Sequence, residues 1–411
     1  MVVGGIAMMS KPVLAIMALV AIVMGCVVTS TPAGASIDSA SIVASPNSSP
    51  TEYNQLHEVS CVSASWCVAV GNYWNGSADQ MVAILWDGAS WTQMTGSNRG
   101  NGSNILKSVS CVSTSFCTAV GQYDSDSGAA SLVMVWDGNT WQWVASPSTS
   151  PIPHTLSSVS CASTSSCFAV GTLLNNAYET IAMVWNGSTW QIVSSPNPGA
   201  NDNRLYSVSC MSSSWCTAVG FYNDGSGVKT LATVWNGATL QAVSSPNNGA
   251  NTNVLNSVSC VSVFSCTAVG VYSNGSENQT LVMVWDVSSW QVVSSPNVVT
   301  DGGESSVSCV SVSSCTAVGA YSNGSVNQTL VMIWDGSSWQ VVSSPNNGAN
   351  TNVLNSVSCG SASSCIAVGA YSNGSVNQTL SLTLTGAEPA PTTTTTTTSA
   401  SSDPVVPAFA G

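Results

Sequence analysis

The sequence predicts an all-β protein that forms a single seven-bladed β-propeller, a ring of four-stranded antiparallel sheets. Three observations support this prediction. A unit of about 50 residues repeats seven times, each unit carries short apolar runs bounded by turn residues, and the two ends of the array complement each other. Because the ends fit together, we expect a closed ring and not an open solenoid, which would need distinct caps.

Cysteine spacing defines the repeat. Of the 15 cysteines, Cys26 stands apart, and the other 14 form seven C-x5-C pairs whose first members are 49 or 50 residues apart. The pairs are Cys61/Cys67, Cys111/Cys117, Cys161/Cys167, Cys210/Cys216, Cys260/Cys266, Cys309/Cys315 and Cys359/Cys365. One pair in each unit predicts one disulfide inside each unit, across a hairpin. A metal site is the alternative, but the chain has only His57 and His154 besides these separate pairs.

Each unit contains four predicted strands, named a to d. In the fifth unit they are residues 255–260, 266–272, 280–285 and 290–295. The runs are rich in Val, Trp and Tyr and are bounded by Gly, Asn, Asp, Ser and Pro, as is typical of strands. Strand c is apolar on both faces, which indicates a sheet packed between two neighbours. Tryptophan pairs on strands c and d are predicted to pack between blades: Trp86/Trp91, Trp136/Trp141, Trp185/Trp190, Trp285/Trp290 and Trp334/Trp339.

The ends of the array predict how the ring closes. The seventh unit stops after strand c, and residues 385–389 contain no fourth strand. Near the N-terminus, residues 41–47 resemble the end of strand d, so they are predicted to form the missing outer strand of the last blade. The propeller is therefore expected to span residues 41–386 as one domain.

The two terminal segments differ from the repeats. Residues 1–35 have the pattern of a secretory signal peptide, with Lys11 before an apolar run and an A-x-A pattern ending at Ala35. The run of about 17 residues is short for a membrane anchor. Lipid attachment at Cys26, within a lipobox-like V-M-G-C, is the alternative. Either route predicts a secreted or cell-surface protein in an oxidising compartment. Residues 387–411, rich in Pro and Thr, are predicted to be a disordered tail.

The repeated residues resemble known propellers. The order V-S-C, A-V-G and T-L-V-M-V-W-D is similar to strands a to c of WD40-type blades, and W-D-G-S-S-W at residues 334–339 is similar in placement to the Asp-box turn of sialidase-like propellers. The Gly-His dipeptide of WD40 repeats and the double glycines of kelch repeats are missing. The chain resembles most the secreted, Cys-paired bacterial propeller-repeat proteins. The resemblance covers residues 41–386 and implies the architecture.

Composition excludes several functions. With 5 basic and 18 acidic residues, the net charge of −13 argues against nucleic-acid binding. The basic residues after the signal peptide are Arg99, Lys107, Arg204 and Lys229. A sialidase-like site needs three arginines around one carboxylate, so that reaction is excluded. A Ser-His-Asp triad would need His57 or His154, and no nucleophile-elbow sequence lies near either. Residues 124–128 resemble a fragment of a calcium loop but lack the later Glu, which favours a solvated turn.

Three functional hypotheses remain. The leading one is a non-catalytic extracellular propeller, monomeric and without a cofactor, that binds a glycan, a cell-wall polymer or a protein. The alternative is an extracellular carbohydrate-active enzyme, a hydrolase or lyase that uses carboxylates in the central channel. The third is a structural surface protein with no small ligand. The shortage of His, Arg and Lys disfavours the enzyme.

Chain direction predicts a binding face. The a–b and c–d connections share one face of the ring, with disulfides and tight turns, whereas the b–c and d–a connections share the other. The second face carries longer Asn-rich loops such as 247–253, 346–352 and 273–279. Binding groups concentrate on loops that a rigid scaffold holds. A tyrosine ends strand b in six units, and these residues are predicted to contact the ligand: Tyr73, Tyr123, Tyr222, Tyr272, Tyr321 and Tyr371.

Four tryptophans lie outside the repeated positions. They are Trp66, Trp74, Trp143 and Trp215. Since the repeat gives them no packing role, they are predicted to be exposed contact residues.

Overall fold

The computed structural model describes residues 37–126, 128–147, 149, 151–300 and 305–386. In these ranges the chain forms seven antiparallel sheets arranged as blades of a ring, which confirms the predicted seven-bladed β-propeller. The predicted signal peptide, Cys26 and the tail at 387–411 lie outside the described residues. Within them there is no helix long and apolar enough to span a membrane.

The strands follow the chain from a to d in each blade. The N-terminal strand is β1 (Ser39–Ile42). Blade one contains β2 (Asn54–Ser63), β3 (Trp66–Trp74), β4 (Asp79–Trp86) and β5 (Trp91–Gln93). Blade two contains β6 (Asn104–Ser113), β7 (Phe116–Ser125), β8 (Gly128–Trp136) and β9 (Trp141–Trp143). Blade three contains β10 (His154–Ser163), β11 (Ser166–Asn175), β12 (Ala177–Trp185) and β13 (Trp190–Val193).

The later blades repeat this order. Blade four contains β14 (Asn203–Ser212), β15 (Trp215–Asn223), β16 (Val228–Trp235) and β17 (Leu240–Val243). Blade five contains β18 (Asn253–Ser262), β19 (Ser265–Ser273), β20 (Asn278–Asp286) and β21 (Trp290–Val293), and β22 (Val299–Thr300) also pairs with β20. Blade six contains β23 (Ser306–Ser311), β24 (Ser314–Ser322), β25 (Asn327–Trp334) and β26 (Trp339–Val342). Blade seven contains β27 (Asn352–Ser361), β28 (Ser364–Ser372) and β29 (Asn377–Thr385).

The N-terminal strand closes the ring, as predicted. β1 pairs antiparallel with β29 and occupies the outer position of blade seven. The strand begins at Ser39, earlier than the predicted 41–47, because pairing extends to the end of β29 at Thr385, and it ends at Ile42, so residues 43–47 lie beyond it. The following residues stay alongside: Val43 donates its N–H to the Ser381 carbonyl at 2.9 Å, and Asn47 accepts the Thr379 N–H at 2.9 Å.

The hydrophobic core lies between the blades. In blade one, Val82 and Ile84 pack on one side with Ile366 and Val368 of blade seven, whereas Ala83 packs on the other side with blade two. This confirms that strand c is buried on both faces. The tryptophan pairs pack against each other, with ring centroids 5.6–5.9 Å apart.

The cysteine pairs form the predicted disulfides. Each joins strands a and b of one blade, where the two cysteines are directly opposite with Cα atoms 3.9–4.0 Å apart. Closing so short a loop stabilises the fold by about 2 kcal/mol per bond in the entropic model. The disulfides hold the a–b end of every blade.

The second cysteine of each pair is also a core residue, which the spacing did not predict. In every blade it begins the buried part of strand b and belongs to one of the core clusters between blades. These buried cysteines are Cys67, Cys117, Cys167, Cys216, Cys266, Cys315 and Cys365. Sequence reasoning placed the pairs only at a stiff turn, because the side of strand b that meets the neighbouring blade is decided when the ring assembles. Each disulfide therefore ties the a–b turn to the core and is not available as a ligand site.

Candidate functional site

The central channel contains a cavity of about 470 Å³ whose wall is formed by the innermost strands. Each first strand packs against the first strands of its two neighbours, and β27 packs on β2 to complete the circle. The lining is mostly hydroxyl and amide groups, with few charges.

One position of the repeat supplies a lining residue from every blade. It is the residue after the buried leucine in the L-x-S-V-S-C segment, or its equivalent in blade six. The seven residues are His57, Lys107, Ser157, Tyr206, Asn256, Ser305 and Asn355. They differ in size and charge, while the neighbouring positions keep nearly the same residue around the ring. We name this set the channel ring.

A β-bulge aims the channel ring at the cavity. In blade five the pairing with β19 shifts between Leu255 and Ser257, which leaves Asn256 as the extra residue. The same shift occurs at the equivalent position of blades one to four and seven. Gly270 lies opposite, and a Cβ there would be 2.0 Å from the Val254 carbonyl oxygen. The glycine of the A-V-G motif therefore makes room for the bulge, which redirects a side chain as bulges near sites commonly do.

Two circles of hydrogen bonds fix the channel wall. In each blade, the residue that follows the channel-ring residue accepts a backbone N–H of the next blade with its side-chain oxygen. This residue is a serine in six blades and Glu58 in blade one. The seven bonds are 3.0–3.3 Å long and complete a circle around the propeller. The serine before the first cysteine of each blade accepts, with its hydroxyl oxygen, the N–H of the first cysteine of the next blade. These seven bonds are 2.9–3.1 Å long. These bonds explain the S-V-S-C motif and give the cavity a rigid wall.

Some channel groups bind one another. His57 Nε2 lies 2.7 Å from Asn72 Oδ1, and the Asn355 amide donates to the Leu56 carbonyl at 2.7 Å. Asn256 donates to the Ser305 hydroxyl at 3.3 Å. The cavity therefore offers hydroxyl and amide groups at fixed positions, suited to a polar ligand.

The predicted tyrosines do not meet in one site. All six are half-buried at the end of strand b, on the predicted face, and each packs against a different core cluster between blades. The Tyr272 hydroxyl donates to Gln279 at 2.8 Å. The Tyr123 ring is covered by the Arg99 guanidinium, whose Cζ is 4.1 Å from the ring centroid. Part of each side chain thus has a packing role that the sequence did not reveal.

Asparagines on the same face also have structural roles. Asn253 is buried at the start of β18, where its side chain accepts the Asn248 N–H at 2.7 Å and donates to the Asn251 carbonyl. Equivalent asparagines hold the d–a loops of four other blades: Asn54, Asn104, Asn203 and Asn352. Asn247, after the Ser-Pro dipeptide, accepts the Thr230 N–H of strand c at 2.9 Å. The Asn-rich loops are therefore stiffer than their composition indicates.

The four tryptophans outside the repeat divide into two groups. Trp66 and Trp215 are partly buried against core clusters, so their prediction as exposed contacts is wrong, because the a–b turn folds them onto the neighbouring blade. Trp74 stacks on Tyr53 with centroids 6.4 Å apart. Trp143 is 43% exposed, and the Arg99 guanidinium stacks over its ring, with Cζ 3.9 Å from the ring centroid.

Carboxylates in the described residues are mostly used in turns. Asp335 accepts the N–H groups of Ser337 and Ser338, and hydrogen bonds from the Ser337 hydroxyl and these amides lower its pKa to about 2. Asp124 accepts the Ser103 N–H at 3.2 Å. Among the described residues, no group of three His, Cys, Asp or Glu side chains could hold a metal ion. Glu58 is the one carboxylate among the described residues that line the cavity.

A disulfide-bonded seven-bladed propeller with a polar channel is thus the class that fold and site define. No family model matches the chain, and no curated protein matches it either. Among solved structures it is similar to "YCF48 bound to D1 peptide", with a TM-score of 0.51 and 14% identity over 87% of this chain and 99% of that one. It is also similar to a protein of unknown function from Dyadobacter fermentans, with a TM-score of 0.49 and 9% identity over 87% and 99%. At these identities the likeness shows the fold alone.

Proposed function

We propose that this chain is a non-catalytic extracellular interaction module that binds a segment of another protein at the mouth of its central channel. The observation that carries the proposal is the channel ring, seven side chains of five different types between positions that are nearly the same in every blade. The cavity of about 470 Å³ lies within the usual range of ligand sites. A rigid scaffold that presents a variable side chain from each repeat to one cavity is the arrangement expected of a recognition surface.

The chemistry of the lining favours a peptide. Hydroxyl and amide groups supply both donors and acceptors, as the N–H and C=O groups of a polypeptide require. Lys107 and Glu58 add one charge of each sign, which matches a segment of mixed polarity. One of the similar structures is YCF48 bound to D1 peptide, and this supports peptides as the first ligand class to test.

The rigid wall supports the proposed binding role, and the disulfides support an extracellular compartment. Seven disulfides and two circles of inter-blade hydrogen bonds hold the wall before a ligand arrives, which reduces the entropy lost on binding. The disulfides also favour an oxidising, extracellular compartment. Secretion through a signal peptide at 1–35, lipid attachment at Cys26 as its alternative, and a monomeric state are parts of this proposal.

The six tyrosines form the outer part of the proposed surface. They lie on the b–c and d–a face and are half-buried, and an aromatic ring in such a position can stack against a ligand. A glycan or cell-wall polymer would use the same rings, so the choice between ligand classes belongs to the experiment.

One residue favours a second candidate, an extracellular carbohydrate-active enzyme. Glu58 is a channel carboxylate where other blades carry serine. Glycosidases use two carboxylates, and the other described lining residues supply none. The enzyme therefore has weaker support than the binding module.

The test is selection of ligands on the purified full chain. A random dodecapeptide library and a glycan array are probed in parallel, and a double variant, Lys107→Ser with Tyr206→Ser, is then compared with the unchanged chain. Serine is the channel-ring residue of blades three and six, so the fold should tolerate both changes. We expect peptide binders whose affinity falls at least about tenfold in the double variant.

The matched control is Ser337→Ala, on the opposite face of the ring. Peptides that bind the double variant as tightly as the unchanged chain would place recognition elsewhere and overturn the channel proposal. Glycan binding without peptide binding would replace the ligand class. Hydrolysis of a polysaccharide that is lost in Glu58→Gln would establish the second candidate.

A further inference from the structure

Blade five departs from the repeat at two touching turns. In the other blades with a complete c–d turn, a glycine of that turn lies against a serine of the a–b turn. A Cβ added to Gly88 would be 3.0 Å from the Ser65 Cβ, and the same distance in the other four blades is 2.9–3.3 Å. In blade five the glycine is replaced by Val287 and the serine by Phe264. Ser265 and Asp286, the residues next to them, are directly paired across the sheet, so the two replacements lie side by side.

The replacement of glycine strains the backbone. Val287 has φ of +81°, whereas its counterparts with positive φ are glycines such as Gly88 and Gly336. A β-branched residue at positive φ is a conformational outlier. Strain of this kind persists at functional surfaces more than elsewhere, so it points to a use for the apolar side chain.

Both side chains face solvent. Phe264 is 60% exposed and Val287 is 62% exposed. Blade six adds Val312, 67% exposed in its own a–b turn, and Val310, 38% exposed. The two blades adjoin at this end, since Thr267 Oγ1 lies 3.7 Å from Cys315 Sγ. We name Phe264, Val287, Val310 and Val312 the apolar corner.

The chain itself leaves the ring on the same face. Gly386, the last described residue, donates its N–H at 3.0 Å to the Ser363 carbonyl in the a–b turn of blade seven, which neighbours blade six. Beyond it, the run of threonines at 392–398 is followed by an apolar segment that contains Val405, Val406 and Phe409. These residues lie outside the described part of the chain.

Connectivity favours this segment as the occupant. The 19 residues from Gly386 to Val405 reach about 60 Å when extended, against a radius of gyration of about 20 Å for a ring of this size. A segment on such a tether has an effective concentration near the millimolar range, far above that of a free partner. The segment carries few charges, which suits an apolar surface.

We propose that the apolar corner binds the chain's own segment at 405–409 and thereby holds the tail against the a–b and c–d face. This proposal is independent of ligand binding in the channel, which concerns the interior wall and the opposite face. It assigns the two departures of blade five a common purpose, the creation of an apolar site on a face that is polar in most blades.

The test is site-specific photo-cross-linking in the full chain. Phe409 is replaced by p-benzoylphenylalanine, the protein is irradiated, and cross-linked peptides are identified by mass spectrometry. We expect cross-links within one chain to peptides that contain Phe264, Val287 or Val312. Their yield should fall at least about fivefold in the double variant Phe264→Ser with Val287→Gly, which restores the residues of other blades and should therefore fold.

The control variant is Val341→Ser, a 52% exposed valine on the outer strand of blade six. It should leave the yield unchanged. Single variants Phe264→Ser and Val287→Gly, each checked by thermal unfolding, keep the comparison valid if the double variant is unstable. Cross-links between two chains would identify a second copy as the occupant and overturn the proposal, as would cross-links to other parts of the ring or none to the ring.

Discussion

Serine and asparagine side chains form most of the polar interactions of this fold, where many proteins use ion pairs. Two ion pairs, Asp202–Arg204 and Asp224–Lys229, are present among the described residues. Neutral side chains instead satisfy backbone groups, as Ser356 does for the Val59 N–H and Asn203 does for the loop before β14. A neutral hydrogen bond contributes about 1 kcal/mol, so the many repeated bonds form a substantial part of the stability.

Blade three has His154 at the position where most other blades have a buried asparagine. His154 is 4% exposed, and its Nε2 has no hydrogen-bond partner. Burial lowers the pKa of His154 below its ordinary value of 6.5. As the pH falls below 6.5, the unfolded chain binds a proton more readily than the folded chain, so the free energy of unfolding decreases.

We expect His154→Asn to remove this acid sensitivity. The free energy of unfolding, measured by urea denaturation at about pH 7.5 and about pH 5, should fall less in the variant than in the unchanged chain. The reverse change at the same position of blade four, Asn203→His, should introduce an additional fall. Equal pH dependence in all three proteins would contradict the role assigned to His154.

At the scale of single elements, the c–d turns show how backbone conformation selects residues. Gly88, Gly138, Gly187, Gly237 and Gly336 all have φ between +90° and +96°. Asp or Asn before each glycine accepts backbone N–H groups of the turn, as Asp87 does from Ala89 and Ser90. In blade five the same turn contains Val287, which keeps positive φ because the strands on either side fix the turn.

Val287→Gly is therefore expected to stabilise the protein. Relief of positive φ at a side-chain residue gains about 1–2 kcal/mol, and the entropy of the new glycine offsets about half of it, which leaves a net gain near 1 kcal/mol. The melting temperature should rise by about 1–2 °C. The control Val341→Gly, in the regular strand β26, should lower it; a decrease with Val287→Gly would show that the turn is not strained.

At the scale of the whole molecule, ring closure reproduces the internal structure of a blade from two distant segments. Ser45 Oγ lies 2.8 Å from Thr379 Oγ1, and Asn47 accepts the Thr379 N–H, as Ser245 and Asn247 do with Thr230 in blade four. The seam thus has the same contacts as a continuous blade. Leu382 and Leu384 of β29 are fully buried, in a core cluster that also contains Ile37.

A chain that begins at Ser48 should lose this seam. Removing β1 exposes the edge of β29 and part of the apolar surface that it covers, so we expect a loss of at least about 3 kcal/mol and a melting temperature at least about 4 °C lower. Deletion of residues 392–411 should change the melting temperature by less. Similar melting temperatures for the two truncated proteins would refute the importance of closure.

The sequence alone determined the architecture because its signals are local and repeated seven times. The cysteine spacing, the four strand patterns and the strand-like segment at 41–47 predicted the blades, the disulfides and the closure, and the structure confirmed them. The sequence also placed the six tyrosines near the end of strand b, but none of them lines the channel cavity. It did not reveal that Tyr123 is covered by Arg99 or that asparagines such as Asn253 are buried loop supports.

Only the tertiary structure identified the channel ring. Simple strand alternation does not predict that Asn256 and its neighbour Ser257 both line the cavity. A bulge after Leu255 interrupts the alternation, and the channel exists only where seven first strands meet. Variation between the nearly constant leucine and serine of the first strand was a signal in the sequence, but its meaning depends on contacts between residues about 50 positions apart. Local patterns determine strands, whereas the assembly of the ring decides which side chains share a site.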